Sequence, residues 1–174
     1  MFKFLKKLGK KEAQELEDCL AQNGMEFESQ EAAEKFLFSQ RNTDLEEVKQ
    51  LNEHYPQLNL DYKAQSLKRL ESFFYSAFVD KKVKLEGISK EHLENLMSQY
   101  MRQVFVFNDM AEWRVFENDF AEGRYDIGLM YGYGSGTMEN YATGLSLNKE
   151  NKSRTYLYDK FMMYVPADSE NQVQ

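Results

Sequence analysis

At 174 residues the chain has the length of one domain with an extension. Its 42% hydrophobic and 14% aromatic content, set against 29% charged residues and a mean hydropathy of -0.71, argues against wholesale disorder and predicts a dense aromatic core under a charged surface. A net charge of -7 and a pI near 5.0 disfavour nucleic-acid binding and favour a basic protein partner, and a lone cysteine, Cys19, supplies neither an internal disulfide nor a zinc site.

The first elements read as helices. Phe2, Leu5, Leu8, Leu16, Cys19 and Leu20 recur at three- and four-residue steps, and Asn23-Gly24 closes that helix. Ser29 caps a short helix to about Ser39, with Ala32, Ala33, Phe36 and Leu37 inward. Thr43-Asp44-Leu45-Glu46 has the form of a capping box and predicts a new helix carrying Leu45, Val48 and Leu51. His54-Tyr55-Pro56 ends it, and Pro56–Asp61 reads as a connector. Two stronger amphipathic helices are expected over Tyr62–Val79 and Ser89–Phe107, joined by the lysine-rich link Asp80–Gly87.

Beyond Phe107 the period changes. Glu112–Glu117, Tyr125–Tyr133, Tyr141–Leu147 and Arg154–Val165 read as four strands, the last the longest, with Asn118–Arg124 and Asn148–Ser153 as polar links. Helices followed by strands predict an α+β fold. About four antiparallel strands in the C-terminal half are packed by two long helices, after an N-terminal helical extension. The expected organisation is an extension over 1–58, an α+β domain over 62–166 and a disordered tail over 167–174.

The richest segment for contact with another molecule is Tyr125–Gly144, which holds five of the nine glycines and four of the eleven tyrosines. Glycine makes the backbone adaptable and tyrosine offers a large, stiff contact area. Gly132-Tyr133-Gly134-Ser135-Gly136 lacks the strand-to-helix setting and the lysine of a phosphate loop, so a hairpin or a bulged strand is the plainer reading. Glu112, Glu117, Asp119, Glu122 and Asp126 cluster near a turn without calcium-loop spacing and read as solvated. His54 and His92 stand alone, and His92, three residues after Ser89, suits local helix capping. Trp113 reads as an anchor between helix and sheet. The basic stretch Met1–Lys11 lacks the apolar run of a secretory signal and is too short for a stable membrane anchor.

From Ser66 to Pro166, two amphipathic helices, a Glu112-Trp113-Arg114-Val115 strand, a glycine-bearing strand and an aromatic segment ending in Tyr164-Val165-Pro166 follow one another. This order resembles small uncharacterised bacterial α+β domains, some of which are toxin-immunity proteins. The resemblance implies a cytosolic, non-enzymatic binding protein of immunity or inhibitor type. The resemblance carries over no functional residue; the tyrosines of the glycine-rich turns give Tyr131, Tyr133 and Tyr141 as contact residues, with Glu139 and Asp126 as their electrostatic partners, and no catalytic residue, cofactor or metal ligand is assigned. Two other readings stand beside it. One is a small-ligand domain or enzyme with a carboxylate in its pocket; the other is a peripheral membrane or assembly factor acting through Met1–Lys11.

Overall fold

The computed structural model describes residues 21–131, 134–136 and 154–165. The described chain is α+β, with four helices and an antiparallel sheet. In order it comprises β1 (Met25–Glu26), α1 (Gln30–His54), a 3-10 turn (Pro56–Leu58), α2 (Ala64–Phe74) running into a π-helical turn (Tyr75–Val79), α3 (Lys90–Phe107), β2 (Glu112–Asn118), β3 (Ala121–Tyr131), β4 (Gly134–Gly136) and α4 (Tyr156–Met162). β3 lies between β1 and β2 in the sheet, and β4 also pairs with β3. Met25 faces Tyr125, and Met130 faces Ser135. The chain divides into two compact units, one built from residues 21–39 and 114–128, the other from 40–113 and the described residues from 129 onward.

The first unit is organised around a turn. Gly24 has φ +81, and a Cβ there would sit 2.8 Å from the carbonyl oxygen of Tyr125, so only glycine fits. The Arg124 guanidinium gathers the carbonyls of Gln22, Asn23 and Gly24 at 2.6–3.2 Å and meets the Glu26 carboxylate at 3.1 Å. Phe27 packs against Phe36 and Tyr125, with ring centroids 5.5 and 6.4 Å apart. The β2–β3 connection is tighter than the expected link Asn118–Arg124. Asn118 Oδ1 accepts from the Phe120 amide at 2.8 Å and β3 already begins at Ala121, because this side-chain turn needs only two intervening residues.

Two further expectations are corrected. The break predicted between Ser39 and Thr43 does not occur: α1 runs unbroken through Thr43. Ser29 does cap it, accepting from the Ala32 amide at 3.2 Å. Gln40, Arg41 and Asn42 include neither glycine nor proline, so a helix already under way has no reason to stop at a second capping sequence. Of the residues expected inward, Ala33 and Leu37 are buried, whereas Ala32 and Phe36 are exposed. The helix ends where Pro56 requires it.

The second correction concerns Arg154–Val165, expected as the longest strand. It holds α4 instead, with Leu157, Phe161 and Val165 buried at a four-residue spacing. Its aromatic content suits a strand, but a spacing of four puts Leu157 and Phe161 on one face of α4, and Val165 is buried in the turn beyond the helix. The expected strand Tyr141–Leu147 and the tail 167–174 lie outside the described residues, as does the N-terminal helix through Leu20.

The second unit carries the main core. α2 contributes Leu67, Leu70 and Phe74, α3 contributes Leu93, Met97, Tyr100, Met101, Val104 and Phe105, and α4 contributes Leu157 and Phe161. Ser89 Oγ accepts from the His92 amide at 3.1 Å, which makes Ser89 the cap of α3. The connector after α1 is pinned by Arg69, which donates to the carbonyls of Leu58 and Asn59 and pairs with Asp61 at 3.2 Å.

Candidate functional site

α4 is held by a buried carboxylate. Thr155 stands at its N-cap position but makes no capping bond to the helix; its hydroxyl donates to Asp159 Oδ2 at 2.9 Å. The free amide of Leu157 donates instead to Glu71 Oε2 at 2.9 Å, across 86 residues of sequence. Glu71 is 0% exposed and its Oε1 has no hydrogen-bond partner. Burial raises its pKa; hydrogen bonds from the Leu157 and Tyr156 amides oppose this, and the Asp159 charge adds to it. Glu71 is therefore a tertiary helix cap. It was not singled out from sequence, yet it lies four residues after Leu67 and three before Phe74, inside the apolar stripe.

Once docked, α4 completes an aromatic cluster. Phe105 and Phe161 lie beneath, fully buried, with centroids 4.8 Å apart. Tyr131, at the end of β3, and Tyr164, just past α4, stack at 5.4 Å with their planes 17° apart. Each stands nearly perpendicular to Phe105, at 5.3 and 5.6 Å. Edge-to-face contacts favour this ring orientation, so the packing around Phe105 supports the tyrosine pair. Tyr131 is half-buried, Tyr164 is 46% exposed and the adjacent Met163 is 75% exposed. Large apolar groups thus reach the surface on a packed aromatic base.

Of the residues singled out from sequence, Tyr131 lies in this cluster. Asp126, five positions earlier on β3, is exposed, and its Oδ1 accepts from the Ile127 amide at 2.8 Å. Tyr133, Glu139 and Tyr141 lie outside the described residues, as does Met1–Lys11. Tyr164 and Met163 were missed because the strand assignment for Arg154–Val165 gave them no common surface with Tyr131. Glu112, Glu117, Asp119, Glu122 and Asp126 are all exposed, and Glu117 accepts from the Gly123 amide at 3.0 Å, a structural use. The His92 ring pairs with Glu47 at 2.7 Å. The Trp113 indole donates to Gln103 at 3.0 Å, with the Arg41 guanidinium 5.4 Å from its ring centre. Among the described residues no group of three or more His, Cys, Asp or Glu side chains is arranged to hold a metal, and no helix is long and apolar enough to cross a membrane.

An α+β fold with a packed aromatic cluster reaching its surface defines a class of protein by architecture rather than by chemistry. A family model described as uncharacterised protein YwmA matches residues 26–165, and the chain belongs to that family. Neither the comparison with curated proteins nor that with solved structures found a match.

Proposed function

We propose that this protein is a non-catalytic binding protein of inhibitor or immunity type. It engages a basic protein partner through an aromatic surface centred on Tyr131, Tyr164 and Met163. The observation that carries this reading is the stacked Tyr131–Tyr164 pair braced by Phe105. Immobile tyrosines lose little entropy on binding and dominate protein interfaces for that reason. A net charge of -7 favours encounter with a basic partner. Tyr133 and Tyr141 belong to the proposed contact set, with Asp126 and Glu139 as charged partners.

The test is matched affinity capture from cells that carry the gene, with the wild-type chain and with a Met163→Glu/Tyr164→Ala variant. Met163 is 75% exposed, whereas Tyr164 also packs on Phe105 and Tyr131, so the variant is expected to lose about 1 kcal/mol of stability and stay folded, and Met163→Glu alone serves as the control with unchanged melting. The expected result is a basic protein bound by the wild type, reconstituted from purified components, with affinity reduced at least about tenfold in the variant. Equal affinity for both chains, or no partner for the wild type, would sink the reading.

A further inference from the structure

The segment after α2 builds a second feature unrelated to the aromatic cluster. The helix widens into a π-helical turn over Tyr75–Val79, closed by the Asp80 amide donating to the Tyr75 carbonyl at 2.8 Å. Such single wide turns open a helix surface and are frequent at binding sites. The following loop is firmly built. The amides of Lys82 and Val83 both donate to the Ser76 carbonyl, at 2.7 and 3.2 Å. Lys81 takes a left-handed backbone, φ +55, which an unconstrained lysine avoids. Asp80 is clamped by both terminal nitrogens of Arg154, at 2.7 and 2.9 Å, and its carboxyl is held below its ordinary pKa chiefly by that hydrogen bonding.

Between turn and loop lies an open cavity of about 430 Å³, lined by Ala77, Phe78, Lys81, Val83, Lys84 and Leu85. Small-molecule sites fall at about 300–1,000 Å³. The floor is apolar and fixed, since Phe78, Val83 and Leu85 pack against the core. Among the described residues, the charged side chains in the lining are two ammonium groups, on a protein whose net charge is -7. Lys81 and Lys84 are exposed; of the acids near them in sequence, Asp80 is already paired with Arg154 and lies 3.6 Å from Lys82, and Glu86, also exposed, is not among the lining residues. A positive rim over an aliphatic and aromatic floor complements a ligand with an apolar body and one anionic head. Among the described residues, the side-chain lining has no amide or hydroxyl group to read a polar ligand along its length.

We infer that this cavity binds a single-chain anionic amphiphile of the fatty-carboxylate class, its chain on Phe78, Val83 and Leu85 and its carboxylate between Lys81 and Lys84. Titration calorimetry of the full chain with dodecanoate, kept below micelle formation, tests it. Saturable binding of about one ligand per chain is expected. Dodecanol, which lacks the charge, and a Lys81→Gln/Lys84→Gln variant with unchanged melting should each weaken it at least about tenfold. An Ala77→Phe variant, which fills the cavity, should abolish binding; if that variant fails to fold, the double-glutamine variant carries the test alone. Absence of saturable binding, or equal affinity for dodecanol, overturns the inference. So does binding to phosphatidylglycerol vesicles without binding of monomeric dodecanoate, which identifies a membrane surface instead.

Discussion

Tyr100 shows how one buried hydroxyl organises its surroundings. Its oxygen accepts from the Tyr62 amide at 2.9 Å and lies 2.6 Å from Ser66 Oγ. The Ser66 hydroxyl donates its single proton to the Lys63 carbonyl at 2.5 Å, so the proton between Tyr100 and Ser66 belongs to Tyr100. The relay holds Tyr62 at φ +59, a left-handed conformation that costs a side-chain-bearing residue about 1–2 kcal/mol. Stacking of the Tyr62 ring on Tyr100 at 5.2 Å and the bond from Asn108 to the Tyr62 carbonyl at 3.1 Å help offset that strain. Burial pushes the Tyr100 phenol up to about 12, so it stays neutral throughout the physiological range. Tyr100→Phe leaves the Tyr62 amide without its acceptor and is expected to destabilise the protein by about 1–3 kcal/mol, read from urea unfolding. A loss below about 0.5 kcal/mol would mean that the relay does not hold the turn.

At the scale of elements, α4 depends on a residue far away in sequence. A seven-residue helix is too short to persist alone, and the Glu71 carboxylate supplies the acceptor that Thr155 does not. The sign of the pH effect follows from the raised pKa. Between its ordinary value of 4.5 and its folded value, the folded chain holds more protons on Glu71 than the unfolded chain does. Stability is therefore greatest with Glu71 protonated and falls as pH rises through the folded pKa. Glu71→Gln keeps an oxygen acceptor for the Leu157 amide and removes the buried charge. Its melting temperature is expected to match or exceed wild type at neutral pH, with the advantage vanishing near the ordinary carboxylate range. A variant less stable than wild type at neutral pH, with the gap closing in acid, would reverse this account. Glu71→Ala removes the cap outright and is expected to cost about 2 kcal/mol.

The elements that were legible in sequence are those whose signals are local. Apolar stripes give α2 and α3, Ser89 caps α3, Pro56 closes α1, and alternation in Glu112–Glu117 gives β2. The assignment of Arg154–Val165 failed because its β-prone aromatic residues outweighed a four-residue spacing seen only in Leu157, Phe161 and Val165. The aromatic surface was half legible. Tyr131 stood out as a tyrosine beside glycines, whereas Tyr164 and Met163 required α4 to be known.

At the scale of the whole molecule, charge is the property that acts at a distance. The net charge of -7 is proposed to speed association with a basic partner, and the tyrosine pair to slow dissociation. The two contributions separate by salt. Raising ionic strength from about 0.05 to 0.5 M shortens the Debye length severalfold and is expected to lower the association rate at least about tenfold while changing dissociation far less. Stopped-flow mixing with the purified partner measures both, and an association rate indifferent to salt would remove the electrostatic part of the proposal.

The sequence alone determined an acidic α+β chain with its helices ahead of most of its sheet, and the positions of two core helices, because charge and apolar period are properties of neighbours along the chain. The tertiary structure decided what residues 154–165 become, why a glutamate sits at the heart of the core, and which tyrosine meets Tyr131. The reason is physical: the bond that caps α4 joins residues 86 positions apart, so only the folded chain brings that acceptor to the amide that needs it.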